Sequence, residues 1–403
     1  MKTSARFFKP ALVGALVTAL GTEPQAVGTG VDDAPVARRR AAAARLGDPV
    51  HGLRREEREL FERGREEFER VFTPETGLGP LFNADSCGEC HEDPVAGGPG
   101  DEVEVHATAF NQGGCDELIE QGGLVVQQEA TPALQAALGI DREPVPAAAT
   151  ATALRTTPDL FGFGLLEAVP DETILALADA DDRDGDGISG RPNRTADGRL
   201  GRFGRKAQVA TLAEFNDEAF LVEQGVTSPA FPDEGTIGPG PIPDGVDSTA
   251  DPEIGQETLD LVNAFVRLLA PPRPLKLKKE AKQGRDLFHL VGCTGCHVPE
   301  LRTGDSPLRA LRNRTVAAYT DMLLHDMGPA LADICLGQAE PAEFRTEPLM
   351  GLRLSASFLH DGRAATIEQA VELHGGEAAR ARDRFLALSP AARAALLAFL
   401  ESL

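Results

Sequence analysis

Cys87-Gly88-Glu89-Cys90-His91 and Cys293-Thr294-Gly295-Cys296-His297 are two copies of one Cys-X-X-Cys-His pattern, one in each half of the chain. In this pattern two thiols form thioethers to a haem and the adjacent His ligates its iron. A Cys-X-X-Cys pair can also form a redox disulfide or half of a zinc site, but neither needs a His after the second Cys in both copies. The sequence therefore predicts two covalently attached c-type haems. The predicted attachment sites are Cys87, Cys90, Cys293 and Cys296, and the predicted proximal iron ligands are His91 and His297.

The surroundings of the two motifs are also duplicated. Gly64-Arg65-Glu66-Glu67-Phe68 precedes the first motif and Gly284-Arg285-Asp286-Leu287-Phe288 precedes the second, and each half ends in an apolar helical pattern, at residues 264–269 and 398–403. A helix, a haem motif and a closing helix is the order found in cytochrome c domains, where a Gly lets the first and last helices approach. We predict a mainly α fold of two tandem cytochrome c-like domains with long loop insertions in the first.

The domain boundaries follow from this duplication. Residues 53–270 are predicted to form the first haem domain and residues 276–403 the second, joined by a stiff Pro-rich linker at 271–275. The excess length of the first half lies in Pro- and Gly-rich stretches, among which residues 225–252 are predicted to be an extended surface loop. No sizeable sheet is predicted, with short strands near the insertions as the alternative.

The N-terminus has the pattern of an export signal. Lys2, Arg6 and Lys9 precede an apolar run at residues 11–20, which is too short to cross a bilayer. We predict a signal peptide at residues 1–26, a linker at 27–52 and a periplasmic or otherwise extracytoplasmic protein without a transmembrane segment. Thioether attachment of haem outside the reducing cytoplasm agrees with this prediction.

The charge restricts the macromolecular partners. The formal net charge is −23, which argues against nucleic acid because phosphate binding needs clustered Lys and Arg. A basic or dipolar electron carrier would instead be attracted over long range.

A third repeated segment, together with the two haem motifs, gives the chain a family resemblance. Residues 155–165 are similar to residues 345–354, and we expect each segment to occupy the same place around its own haem. From about residue 53 to residue 403 the chain resembles the bacterial di-haem oxidoreductases grouped with peroxidases, and more distantly the di-haem cytochrome c peroxidases and the methylamine-utilisation di-haem enzyme. The matching stretches are residues 81–86, 164–170, 323–329 and 358–363.

The resemblance implies a two-haem protein in which one haem binds an oxidant or substrate and the other relays electrons. The predicted function is a peroxidase that reduces hydrogen peroxide with electrons from a small cytochrome or copper protein. Two alternatives stay open: a non-catalytic di-haem electron carrier, and an oxidoreductase acting on a small donor such as a thiol or sulfur compound.

The second axial ligand of each haem is the open question of the site. Met327, in a turn bounded by Gly and Pro, is the predicted ligand of the second haem, with His360, Met350 or an open position as alternatives. The related cytochrome c peroxidases carry a Met before their His-Asp-Gly element, whereas this chain has Leu359 there, and an aliphatic side chain cannot ligate iron. They also place a Trp between their haems, and this chain contains none.

Two further kinds of site are predicted. Glu167, just past the repeated segment, and His106 are the candidate acid–base groups for peroxide cleavage. Asp182, Asp184 and Asp186, with the carbonyl of Ile188, match the first, third, fifth and seventh positions of a Ca²⁺ loop, although Asn193 replaces the bidentate Glu at the twelfth.

Two cysteines remain after the haem thiols are counted. Cys115 and Cys335 are expected to form a disulfide between the halves in an oxidising compartment, with a Cys axial ligand as the alternative. Tyr319, the single Tyr, is most simply a packed ring.

Overall fold

The computed structural model describes residues 45–403, so the predicted signal peptide and the linker up to residue 44 lie outside the described residues. The α-helices are α1 Arg55–Phe68, α2 Cys87–Cys90, α3 Pro132–Leu138, α4 Phe163–Glu167, α5 Asp171–Leu175, α6 Leu212–Gln224, α7 Gln256–Leu268, α8 Lys279–Val291, α9 Ile367–Leu373, α10 Ala379–Leu386 and α11 Pro390–Leu400. The strands are β1 Leu81–Phe82, β2 Val103–Asn111, β3 Gly114–Asp116, β4 Val125–Val126, β5 Glu129–Ala130, β6 Ala151–Thr156, β7 Thr236–Ile237, β8 Gly240–Pro241, β9 Leu301–Arg302, β10 Thr315–Val316, β11 Leu324–Asp326 and β12 Glu343–Arg345.

Two pairs of crossing helices frame the haem motifs. Helix α1 packs across α7 in the first half, and α8 packs across α11 in the second. A Cβ on Gly64 of α1 would lie 2.1 Å from the Leu261 carbonyl oxygen, and one on Gly284 of α8 would lie 1.8 Å from the Ala395 carbonyl oxygen. Only glycine allows such close backbone approach, so the expected glycine at each crossing is confirmed.

The hydrophobic core joins the two halves. Its larger part surrounds α1 and α7 and contains the buried rings of Phe61, Phe68 and Phe265. Leu311 and Leu323, which follow the Pro-rich linker in sequence, belong to this same cluster. A smaller cluster lies between α8, α10 and α11. The second half therefore contributes side chains to the core of the first, and the predicted division into two domains at residues 271–275 stays a prediction.

The prediction of a mainly α fold is wrong. Within residues 45–403, helices account for 32% and strands for 14%. Strand β2 is the centre of an antiparallel sheet that pairs with β3, β4 and β6, in an insertion that the sequence analysis assigned to loops. Strands β2 and β6 pair although some 45 residues separate them in sequence, and composition does not reveal such a non-local contact.

The remaining predicted loop contains little regular structure. Residues 225–252 hold one short hairpin, β7 paired with β8, and otherwise form turns and irregular backbone. Within residues 45–403, no helix combines the length and the apolar character needed to cross a membrane.

The disulfide between Cys115 and Cys335 is present, which confirms that prediction and removes Cys335 from the candidate iron ligands. The two Cα atoms are 5.7 Å apart. Cys115 lies in β3, whereas Cys335 is fully buried in the second half of the chain. The bridge therefore links the sheet of the first half to a segment 220 residues further along.

Replacing both cysteines with alanine is expected to lower the free energy of unfolding by about 2–5 kcal/mol, because the bridge closes a very long loop and so restricts the unfolded chain. Chemical denaturation of the oxidised protein and of the C115A/C335A variant measures this difference. Equal denaturation midpoints with equal slopes would show that the bridge contributes nothing to stability.

Candidate haem sites

The first motif forms a short helix directly after the larger core. Ser86 caps α2 by accepting a hydrogen bond from the Glu89 amide, and the amide of Gln224 donates to Cys87 Sγ over 3.3 Å. Cys87 and Cys90 are not bonded to each other. Burial raises the pKa of Cys87 to about 11, and burial with the nearby charges of Glu223 and Glu104 raises the pKa of Cys90 further. Both thiols are thus neutral and unpaired, unlike the low-pKa cysteines of redox disulfides.

The His91 ring is held in one tautomer. Its Nδ1 lies 2.9 Å from the Pro158 carbonyl oxygen and 3.3 Å from that of Gly98. Burial lowers the pKa of His91, which favours the neutral ring. A neutral imidazole that donates from Nδ1 to a carbonyl leaves the Nε2 lone pair free, which is the usual arrangement of an iron-ligating histidine.

The second motif repeats this arrangement with a different partner. It forms a single 3₁₀ turn at Cys293–Gly295 after α8, and His297 Nδ1 lies 3.0 Å from the Tyr319 carbonyl oxygen. Burial lowers the pKa of His297 to about 4, so this ring is also neutral. The Tyr319 ring packs edge-on against Phe288 and Phe399, as expected for a packed ring.

A cavity of about 610 Å³ opens beside the second motif. Cys293, Cys296 and His297 line it, and so do Phe288 and Leu349. An apolar cavity bounded by two free thiols and one neutral imidazole has the donor set and the space that a c-type haem requires. The residues present therefore fit the predicted cofactor at this site.

The three predicted axial ligands differ in their surroundings. Met327 lines the cavity beside the second motif. His360 also reaches it, but its Nε2 lies 3.2 Å from Asp333 Oδ2 and its ring stacks on Phe344 with centroids 4.2 Å apart. Met350 lies in a separate, smaller cavity and packs against Gly162. Of these three side chains, Met327 is the one that lines this cavity and has no hydrogen-bonding or stacking partner among the described residues.

The two predicted acid–base residues also differ. The Glu167 carboxylate accepts from Arg267 Nε at 2.5 Å and Nη2 at 3.1 Å, and from the Leu212 amide at 3.0 Å. It thus links α4 to α7 and the start of α6. His106, on β2, instead pairs through Nε2 with Glu104 Oε2 at 2.9 Å, and its buried Nδ1 has no partner among the described residues.

The sequence analysis did not identify two carboxyl groups near the first motif, those of Glu104 and Glu223. Burial raises the pKa of Glu104, but the bond to His106 and nearby positive charges outweigh it and hold that pKa below its usual value. Burial, reinforced by the charge of Glu104, places the pKa of Glu223 well above its usual value. Asn83 Nδ2 donates to Glu223 Oε2 over 2.7 Å. The strand alternation that puts Glu104 and His106 on one face of β2 could have indicated the first group, whereas no local pattern marks Glu223.

The predicted calcium loop lies against the second haem motif. Carboxylate oxygens of Asp182, Asp184 and Asp186 lie within 4.8 Å of one another. The Ile188 side chain contacts Gly295, so close that a Cβ there would lie 2.4 Å from Ile188 Cδ1. Asn193 is fully buried, donates to the Lys206 carbonyl oxygen at 2.7 Å and accepts from the Arg194 amide. Asn193 is thus committed elsewhere and does not complete the loop.

The sequence of the second half and part of the first matches a described protein family. The model of the family "Di-haem oxidoreductase, putative peroxidase" matches residues 149–403. The chain belongs to the di-haem oxidoreductases. Membership of this family indicates two haems and oxidoreductase chemistry. The matched range of this di-haem oxidoreductase contains the second Cys-X-X-Cys-His motif, and the first lies before it. No curated protein matches the chain.

Solved structures resemble this di-haem oxidoreductase only weakly. Hydrazine synthase from Kuenenia stuttgartiensis is 12% identical over 96% of this chain and 100% of that chain, with a TM-score of 0.40. The diheme peroxidase BthA from Burkholderia thailandensis E264 is 17% identical over 86% of each chain, with a TM-score of 0.41. A MauG-like protein associated with microbial copper homeostasis is 17% identical over 60% of this chain and 88% of that chain, with a TM-score of 0.31. Scores this low support no argument about the chemistry of this chain.

Proposed function

We propose that this di-haem oxidoreductase is an exported c-type peroxidase that reduces hydrogen peroxide with electrons from a small cytochrome or copper protein. The observation that carries the proposal is the pair Glu104 and Glu223 near the first motif, one carboxyl with a lowered pKa and the other with a raised pKa. Two titratable groups whose surroundings separate their pKa values in this way are suited to act as base and acid.

The cofactor would be held by the duplicated motifs. Cys87 and Cys90 would attach one haem and Cys293 and Cys296 the other, with His91 and His297 as proximal ligands. Bound haem would supply the electron-transfer and oxygen chemistry that side chains lack. The carbonyl groups of Pro158 and Tyr319 orient the two imidazoles and keep their Nε2 atoms available.

The side chains near His91 would transfer the protons that the reaction needs. Glu104, ionised and bonded to His106 Nε2, can accept a proton from a peroxide molecule held nearby. Glu223, whose pKa is raised by burial and by the charge of Glu104, can donate one to the departing oxygen. Glu167 is less suited to this role because Arg267 and the Leu212 amide already engage its carboxylate.

Met327 is proposed as a second protein ligand of the iron at the His297 site, which would suit that haem to relay electrons rather than to bind peroxide. Met327→Leu is expected to convert it from a low-spin to a high-spin, cyanide-binding haem, because an aliphatic side chain of similar size cannot ligate iron. Optical and paramagnetic resonance spectra of the oxidised protein measure the change. Met350→Leu is the matched control and should leave both spectra unaltered. An unchanged spectrum in Met327→Leu would assign the position to another residue, such as His360.

The charge distribution supports a dipolar or basic electron donor. Residues 276–403 contain 16 Lys and Arg and 16 Asp and Glu, so the net charge of −23 belongs to the residues before them. A partner with a basic face would be attracted to the first half of the chain, and this attraction would weaken with salt.

Calcium and export are parts of the same proposal. Asp182, Asp184, Asp186 and the Ile188 carbonyl would hold Ca²⁺ beside the second motif, with a further ligand in place of Asn193. The signal-like N-terminus and the Cys115–Cys335 disulfide both support a periplasmic or other oxidising location.

The proposal is tested on protein matured in a host that attaches c-type haem. Two haem equivalents per chain in the pyridine haemochrome assay, one high-spin haem and turnover of peroxide with a reduced donor are expected. Two low-spin haems that stay inert to peroxide at every redox poise would favour the non-catalytic electron carrier instead.

A further inference from the structure

The duplication predicts equivalent contacts for the two repeated segments at residues 155–165 and 345–354, but their contacts with the proximal histidines differ. The residue 155–165 segment places the Pro158 carbonyl on His91, whereas in the second half the Tyr319 carbonyl takes the equivalent role on His297. Pro158 and the neighbouring Asp159 also line the cavity beside the second motif. One short segment thus contacts the proximal imidazole of one site and forms part of the wall of the other, in a chain that contains no Trp.

Asp159 is an acid without a cationic partner. Its Oδ1 accepts from the Phe161 amide at 3.1 Å, and it forms no ion pair among residues 45–403. Burial and the charge of Glu347 raise the pKa of Asp159 to about 7, while Arg205 opposes the shift.

The other charged groups that face Asp159 pair with one another. Arg205 Nη1 lies 3.2 Å from Glu347 Oε2, and Arg345 Nη2 lies 2.9 Å from the same oxygen. Burial would raise the pKa of Glu347, but the two guanidinium groups outweigh it and keep that pKa below its usual value. Glu347 therefore stays ionised, and Asp159 is the group in this cluster that can change its charge near neutral pH.

We propose that Asp159, on the wall of the cavity beside the second motif, binds one proton when the haem ligated by His297 gains one electron. The electron comes from the external donor and converts ferric to ferrous iron. The proton comes from solvent and converts the Asp159 carboxylate to the neutral acid, which offsets the added negative charge. This inference depends on the two haems of the proposed function but not on peroxide as the substrate.

The coupling has a defined sign. Because reduction and protonation favour each other, acid favours the reduced haem and the reduction potential falls as pH rises. One pH unit is a tenfold change in proton concentration, which corresponds to at most about 59 mV for a one-electron couple. The slope should extend from the pKa of Asp159 in the oxidised protein to its higher pKa in the reduced protein.

Spectroelectrochemical titration of the holoprotein from pH 5.5 to 8.5 tests the proposal, with the two haems distinguished by spin state. Asp159→Asn should remove most of the slope at the low-spin haem, because the amide cannot take up the proton. Glu143→Gln is the matched control. Burial also raises the pKa of Glu143 to about 7, but that group bonds to the Gln127 amide and does not line the haem cavity. Its slope should equal that of the wild type.

Either of two results overturns the proposal. One is a wild-type potential that does not vary with pH between 6 and 8, and the other is a wild-type slope retained in Asp159→Asn, which would assign the proton to a haem propionate or another acid. If Asp159→Asn fails to mature, redox-difference infrared spectra of the wild type decide the question. A protonated-carboxyl band should grow on reduction, and its absence overturns the proposal. A protein with two haems but no peroxide turnover leaves the proposal standing, so the two failures are distinguishable.

Discussion

Glu104→Gln is expected to lower the peroxide turnover rate by about 10²–10⁴-fold while both haems remain attached, because the amide keeps the size of the side chain but cannot accept a proton. The wild-type carboxylate, whose pKa is lowered, is bonded to His106 Nε2 at 2.9 Å, and Glu223, whose pKa is raised, lies nearby. Steady-state turnover with a reduced donor, normalised to haem content, measures the loss.

Glu167→Gln is the informative comparison. The Glu167 carboxylate is occupied by Arg267 and by the Leu212 amide, so its substitution should retain turnover within a few-fold and reduce thermal stability instead. The opposite pattern, full turnover in Glu104→Gln and a large loss in Glu167→Gln with normal stability, would assign the acid–base role to Glu167, one of the two candidates predicted from the sequence.

Gly284→Ala is expected to destabilise the protein by about 1–3 kcal/mol or more. The added methyl group would lie 1.8 Å from the Ala395 carbonyl oxygen and 2.9 Å from Phe399 Cβ. Since the first of these atoms belongs to backbone, only separation of α8 from α11 relieves the clash. The second motif directly follows α8, so haem attachment at Cys293 and Cys296 should decrease as well.

Denaturant titration and the haemochrome assay measure the two effects in Gly284→Ala. Gly235→Ala serves as the control because a Cβ there meets no atom within 4 Å. If both variants unfold within about 0.5 kcal/mol of the wild type, the close approach of α8 and α11 does not limit stability.

Local sequence patterns predicted those parts of the molecule that depend on local chemistry. The spacing of Cys, Cys and His indicated both haem sites, and the structure supports them with neutral thiols and with imidazoles held at Nδ1. The apolar spacing in α1 and α8, with Gly64 and Gly284 at the crossings, predicted the helix pairs because a helical face and its closest contact are both encoded within a few turns.

Features that depend on contacts between distant segments were missed or left undecided. The four-stranded sheet requires β2 to pair with β6, and no pattern within either strand specifies this distant partner. Glu223 has no motif of its own, and only packing brings it near Glu104 and Cys90. Glu167 looked suitable because its apolar neighbours are visible in the sequence, whereas its partner Arg267 lies 100 residues away.

The sequence by itself determined that this chain carries two haem-attachment motifs on paired amphipathic helices, since covalent attachment and helix formation need residues only a few positions apart. The tertiary structure alone decided which acids stand beside each site and in which charge state, and that Pro158 and Asp159 connect one site to the other. A side chain's pKa is set by burial and by charges from segments far apart in sequence, and those become neighbours only when the chain is folded.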